Sequence, residues 1–340
     1  MPLCEKWYEE HCREYQATLD ACPGGIVPKL RIAHEEHLAN GFIEDDLSER
    51  FRYRICPREG GVALILQENS RRQLRLETPK PRRLPEHLRG LPRLDLRVIP
   101  YSSSFRQYPY RYRVNGRPYA MLTSPFPYGR LATTICSTIE KDTQSWEGSP
   151  DRFSRIVADL CELARQAEGA CLVYNGPRAG ATIPETLHFS LIERELDPWP
   201  LELAAEQAQA HPGEFVTLVD NPPLFPLTAF RFRGDAEEIV RAVCAVARLW
   251  HVLLPGQATE NLIASAGSGM VSVFYVPRDG HHERAAAPGG LRIGSLEALG
   301  EVVAERSPVD PQLYDFDKLC LLLRSVRPHA ADALTRRFVM

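Results

Sequence analysis

An order of elements that occurs twice constrains this chain more than any other feature. The stretch "PDRFSRIVADLCELARQAEG" carries Phe153, Ile156, Val157, Leu160 and Leu163 at helical spacing. Ser149 and Pro150 suit the start of that helix. A buried strand, "ACLVYNG", follows, and after a glycine-rich loop comes a second, "TLHFSLIE". Further on, "DAEEIVRAVCAVARLWHVLL" again reads as a helix, and "ENLIASAGSGMVSVFYVPR" as two strands around a Gly-Ser-Gly turn. Helix, strand and antiparallel strand thus occur at 150–193 and again at 235–277, which predicts an α+β fold of two related halves.

The rest of the chain arranges itself around these units. Residues up to about 48 read as helix, loop and helix. "FRYRICPREGGVALILQEN" reads as a hairpin turning at Pro-Arg-Glu-Gly-Gly. Residues 78–100 hold five prolines and read as an extended connection. "RPYAMLTSPFP" and "RLATTICSTI" read as strands, and "DPQLYDFDKLCLLLRSVRP" as a closing helix. The expected division is an N-terminal extension over 1–100 with the hairpin and a basic segment, a first half over 101–196, and a second half with the closing helix over 197–340.

Hydrophobic residues at 44% and charged residues at 25% fit a globular protein, and no run of eighteen apolar residues offers a membrane span. The start, "MPLCEKWYEEHCREYQ", lacks the apolar core of a signal peptide, so a cytoplasmic location is expected. Nine scattered cysteines without a C-x-x-C pair suit reduced thiols. Cys4, His11, Cys12 and Cys22 match no common zinc module, and neither a metal nor another cofactor is expected. The net charge of −3 conceals a basic segment: Arg50 to Arg130 holds eighteen Lys/Arg against five Asp/Glu. Such a segment can neutralise an anionic ligand. The alternating Tyr and Arg of "YPYRYRV" are read as a half-exposed strand, so nucleic acid is not the expected partner.

Residues 174–190 are where chemistry concentrates. Gly176 and Gly180 follow a hydrophobic strand and let backbone amides approach a ligand closely. Asn175, Arg178 and Thr182 add an amide, a guanidinium and a hydroxyl that suit a phosphate or a ribose. His188 alternates with Leu187 and Phe189, so in a strand it faces away from the core together with Thr186 and Ser190. Spacing alone leaves two readings of His188 open, a reacting imidazole or a structural hydrogen bonder.

Several segments together resemble the histidine-triad superfamily of nucleotidyltransferases and phosphorylases, in its GDP-L-galactose/GDP-glucose phosphorylase and ATP-adenylyltransferase-like branch. "YNGPRAGATIPETLHFSLIERELDPWPLE" is similar to its Asn-Gly-Pro-x-x-Gly-Ala-Ser/Thr loop, its His-x-His-x-Gln motif and the turn beyond. "RFRYRICPREGGVALILQENSRRQLR" resembles its Phe-Arg-Tyr strand and Gln-x-Asn-x-x-Arg segment, and "MLTSPFPYGRLATTI" its strand with a Pro-rich corner. "TENLIASAGSGMVSVFYVPRDGHHER" resembles the second half's strands, and "GSLEALGEVVAER" the acidic-apolar helix after them, with Glu297 and Glu301 on a solvated face.

The resemblance implies two histidine-triad-like halves, each an antiparallel sheet with packed helices. It also implies a covalent nucleotidyl-histidine at the α-phosphate of a nucleoside diphosphate sugar or related nucleotide. His188 takes the nucleophile position, with Thr186 where the family has its first histidine and Ser190 where it has the glutamine. Gly129-Arg130-Leu131 stands in place of a Gly-His-hydrophobic corner. Arg71, Arg72, Arg130 and Arg278 are the arginines it places toward phosphates. The expected partners are a nucleotide or nucleotide sugar and an acceptor such as inorganic phosphate, water or a sugar phosphate. A homodimer is compatible with it. The alternative is a nucleotide-binding protein whose reduced triad has lost or altered catalysis.

Overall fold

The computed structural model of the chain describes residues 3–69, 71, 84–147, 149–196, 198–209, 211, 214–221, 223–282, 293–304 and 314–339. Two helices lead, α1 (Leu3–Ala21) and α2 (Ile26–Ala39), followed by a hairpin of β1 (Arg50–Ile55) and β2 (Leu64–Asn69) and a single turn, α3 (Ile99–Ser102). The first half consists of β3 (Tyr110–Val114), β4 (Arg117–Thr123), β5 (Thr133–Ser137), α4 (Pro150–Gln166), β6 (Ala170–Asn175) and β7 (His188–Glu193). After α5 (Pro200–Ala208) the second half follows with β8 (Val216–Val219), β9 (Ala229–Gly234), α6 (Ala236–Leu253), β10 (Ala258–Gly267) and β11 (Met270–Asp279). The chain ends with the single turn α7 (Ser295–Ala298), β12 (Glu301–Ala304), α8 (Phe316–Arg324) and α9 (Ala331–Val339).

Among the described residues, nine strands form one antiparallel sheet in the order β3-β4-β5-β7-β6-β10-β11-β9-β8. Read outward from the centre, β6-β7-β5-β4 and β10-β11-β9-β8 are the same arrangement, with α4 and α6 entering at corresponding points. The halves join where β6 and β10 pair, from Asn175 opposite Asn261 to Cys171 opposite Ser265. Strand periodicity sorts the side chains between two faces. Leu172, Tyr174, Leu187, Phe189, Leu191, Leu262 and Tyr275 pack under α4 and α6 against Phe153, Leu160, Ile239, Val243 and Trp250. Val173, Ile192, Ile263 and Val276 face the opposite way, against Leu64, Leu66, Trp199, Val302 and Leu323. The helices hold their ends by ordinary means: Pro150 opens α4, and the Asp235 carboxylate accepts the Glu237 amide at 2.8 Å to cap α6.

The N-terminal extension is fastened to both halves. His37 of α2 lies wholly buried beside the first half, with Nε2 accepting the Tyr108 amide at 2.9 Å and Nδ1 2.9 Å from Thr123 Oγ1. The β1–β2 hairpin joins the chain's late segment instead, because β12 pairs in parallel with β2. This corrects the expected acidic-apolar helix over "GSLEALGEVVAER". Among its described residues only Ser295–Ala298 is helical, and the chain then extends over Glu301–Ala304. Gly300 makes the break at φ +91°, where an added Cβ would lie 2.6 Å from Pro200 Cβ. Beyond it the β-branched pair Val302-Val303 enters the sheet. Glu301 is therefore fully buried rather than solvated, accepting from Arg52 Nε at 2.6 Å and Trp199 Nε1 at 3.1 Å. Among the described residues, no helix is long and apolar enough to cross a membrane.

Candidate active site

His188 is the first residue of β7, opposite Cys136 of β5, with Leu187 and Phe189 in the core and the imidazole on the opposite face. The side chain is buried, at 8% exposure. Its Nδ1 lies 2.9 Å from the backbone oxygen of Thr186. A carbonyl only accepts, so this contact requires the proton on Nδ1 and leaves Nε2 with its lone pair. Nε2 has no partner among the described residues. Burial pushes the pKa of His188 below the ordinary histidine value, while the bond to the Thr186 carbonyl opposes that shift. The fold thus presents a neutral imidazole in one tautomer, its Nε2 lone pair unpartnered among the described residues.

Ser190 shares this face, and its cross-strand partner on β5 is Thr134. Both residues are partly exposed, and neither hydroxyl has a partner among the described residues. Two free hydroxyls therefore stand side by side, one step along the sheet from His188. The Thr186 side chain is buried, and its main contribution is the carbonyl that fixes the imidazole.

The glycine-rich loop is laced to the second half. Asn175 Oδ1 accepts from Asn261 Nδ2 at 2.8 Å and from the Ser295 amide at 3.0 Å. Asn261 Nδ2 also donates to the Ala179 carbonyl at 2.7 Å, and the Gly176 amide to Glu260 O at 2.8 Å. A Cβ on Gly176 would stand 2.6 Å from Thr259 Oγ1, and one on Gly180 2.7 Å from Gly294 Cα. Close approach of chain to chain is thus what both glycines serve in this structure. Gly180 also has φ +96°. Gly180→Ala combines a left-handed backbone with a backbone clash, and a loss of about 3 kcal/mol is expected, read as a lowered urea midpoint with unchanged slope.

Solved structures share this architecture. The crystal structure of yeast Ap4A phosphorylase Apa2 aligns with a TM-score of 0.53 at 15% identity, over 86% of this chain and 91% of that one. The same protein in complex with Ap4A aligns with a TM-score of 0.56 at 13% identity, over 86% and 94%. In complex with AMP it aligns with a TM-score of 0.56 at 13% identity, over 87% and 94%. The chain shares the fold of that phosphorylase. By sequence, residues 106–193 match a family described as "Domain of unknown function (DUF4922)", a span that runs from just before β3 to the end of β7. No curated protein matches the sequence.

Within this fold, the residues singled out from sequence fall into separate groups. Thr186, His188 and Ser190 share one strand end, with Asn175 tied to His188 through the Gln144 side chain, while Gly176 and Gly180 pack against β10 and Gly294. Arg178 sits at φ +65° and donates to Gly256 O at 3.0 Å, and Thr182 is exposed. Arg278 is not solvent-facing: it is 1% exposed, donating to Asn261 Oδ1 at 2.6 Å and Ile293 O at 3.1 Å. It therefore supports the Asn261–Asn175 contact. Arg130 lies at the far end of β7, where its carbonyl accepts the Glu193 amide at 3.0 Å. Five residues of strand put that point about 17 Å from His188. Arg71 pairs with Asp46 at 3.0 Å, and Arg72 lies outside the described residues. His251, at the end of α6, stands 3.3 Å from the buried Glu260 carboxylate and packs on Trp146.

Two contributors escaped the sequence reading. Thr134 carried no motif, and only its register opposite Ser190 brings it to the site. Gln144, in the loop between β5 and α4, is fully buried and touches the main chain of His188 directly. Nothing in "KDTQSWEG" distinguishes that glutamine from a solvated loop residue.

Proposed function

We propose that this protein is a nucleotidyltransferase of the phosphorylase kind, acting through His188 on a nucleoside diphosphate sugar or a related dinucleotide. The observation that carries this reading is the imidazole itself: buried, neutral, with the proton on Nδ1, and with Nε2 unpartnered among the described residues on the sheet face that also carries the Ser190 and Thr134 hydroxyls. The histidine-triad-like fold and the likeness to a phosphorylase whose structures include Ap4A and AMP complexes support a nucleotide as the substrate.

The chemistry is a double displacement. Nε2 attacks the α-phosphorus, an N–P bond forms, and the P–O bond to the leaving sugar phosphate or nucleotide breaks. The imidazole then carries positive charge, and its Nδ1–H points at the Thr186 carbonyl, which stabilises that charge. Inorganic phosphate or water attacks in turn, the N–P bond breaks, and neutral His188 is restored. Ser190 and Thr134 donate to the phosphoryl oxygens in place of a single longer glutamine. In a second reading the pocket binds nucleotide without turnover, a reading favoured by the short Ser190 side chain at the glutamine position.

The test is intact-mass analysis after brief incubation with Ap4A, GDP-glucose and ADP-glucose, with and without phosphate. An acid-labile gain of one nucleoside monophosphate on the peptide containing His188, discharged by phosphate, is expected. Tight nucleotide binding with no adduct and no product from any of the three selects the second reading.

A further inference from the structure

We infer that Gln144 is the positioning residue of this site, its carboxamide standing in for the missing rung between β6 and β7 and so fixing the peptide that carries the His188 imidazole. The inference rests on His188 being the nucleophile. The β6–β7 ladder runs from Ala170 opposite Glu193 to Val173 opposite Ser190. Continued, it would set Asn175 opposite His188, but at that point the chain leaves β7 for the loop bonded to β10. The His188 amide and carbonyl point into the gap this leaves.

The Gln144 side chain fills that gap. Its Oε1 accepts the His188 amide at 2.9 Å, and its Nε2 donates to the His188 carbonyl at 3.0 Å and the Asn175 carbonyl at 2.8 Å. A primary carboxamide has the donor and acceptor of a peptide group, so it satisfies both strands where neither can reach the other. Gln144 is itself held: its amide donates to the Pro184 carbonyl at 2.9 Å, and its carbonyl accepts the Tyr174 hydroxyl. Its loop is anchored on either side, by Asp142 to Arg117 at 2.7 Å and Arg152 at 2.8 Å, and by Trp146 Nε1 to Glu260 at 2.8 Å. The Nδ1–H bond of His188 reaches only two residues back, so any shift of this peptide alters the tautomer and the aim of Nε2.

The test uses Gln144→Met and Gln144→Glu, which keep the length of the side chain and remove its donor. The first readout is the imidazole nitrogen NMR of His188. Wild type is expected as the Nδ1–H tautomer and both variants as a mixture. The second is single turnover with Ap4A as probe: the rate at saturation is expected to fall about 100-fold, with the half-saturating concentration moving less than about threefold. Asp142→Asn loosens the same loop but leaves the carboxamide in place, and it should keep the wild-type tautomer. A Gln144→Met protein with the wild-type tautomer overturns the inference. So does an Asp142→Asn protein that loses it equally. If wild type does not turn over Ap4A, the tautomer readout still decides the role of Gln144, and only the functional reading is affected.

Discussion

His188→Ala is expected to abolish the nucleotidyl adduct and to lower turnover by about 10⁴–10⁶-fold while leaving nucleotide affinity within a few-fold of wild type. The magnitude follows from the absence of a substitute. Ser190 and Thr134 offer hydroxyls, which are poor nucleophiles at neutral pH without an adjacent base. The pH dependence follows from the environment of the ring. Burial holds the His188 pKa below the usual value of 6.5, so the reactive neutral form persists into more acidic solution than free imidazole would allow. The acidic limb of kcat/KM should therefore lie below pH 6.5. A limb at or above that pH, or residual turnover in His188→Ala within tenfold of wild type, would assign the chemistry to another group.

The second large effect concerns a different histidine. His37 is fully buried, and its Nε2 already accepts the Tyr108 amide, so a proton there would displace a hydrogen bond and strand a charge. Burial pushes its pKa down to about 4, with a backbone contact at Ala33 pulling weakly the other way. In the unfolded chain the value returns to 6.5. Between these two values the unfolded state binds the extra proton, so stability is complete above pH 6.5 and declines as pH falls toward 4. The full decline is roughly 3 kcal/mol. His34 and His188, also shifted down by burial, act in the same direction. The share of His37 is therefore read as a difference: urea unfolding at pH 7.5 and 4.5, in wild type and in His37→Gln. The variant should be less stable at pH 7.5 and should show a shallower fall between the two. Equal falls would mean that His37 does not titrate in that window.

The two histidines show how far a residue type can be interpreted without its surroundings. Both are buried, neutral and hydrogen-bonded to main chain, yet Nε2 of His37 is occupied by an amide and Nε2 of His188 has no partner among the described residues. Alternation in "TLHFSLIE" is enough to turn His188 away from Leu187 and Phe189, because a strand places neighbours on opposite faces wherever it lies. Which ring nitrogen carries the proton depends on the Thr186 carbonyl, and the amide and carbonyl of His188 itself are held by Gln144, forty-four residues earlier in the chain. Local pattern carries no record of such a contact.

The arginines and acids divide in the same way. Arg278 and Glu301 look like surface residues in sequence, since charged side chains are seldom fully buried unless paired. Each is buried because its partner arrives from elsewhere: Asn261 for Arg278, and Arg52 and Trp199 for Glu301. The glycine loop is subtler. Asn175, Gly176 and Gly180 announced a close approach, but a glycine does not state what approaches it, and here β10 and Gly294 come near.

Periodicity and order alone determined the α+β class, the two halves with their helix–strand–strand units, and the face on which His188 stands. These rest on interactions within one element, where 3.6- and 2-residue repeats decide which side is apolar. Only the tertiary structure decided that the halves share one sheet through β6 and β10, that β12 is a strand, that Gln144 bonds the main chain of His188, and that Thr134 stands opposite Ser190. Those outcomes depend on register and on hydrogen-bond partners far apart in the chain, and such partners are chosen by the geometry of the folded whole.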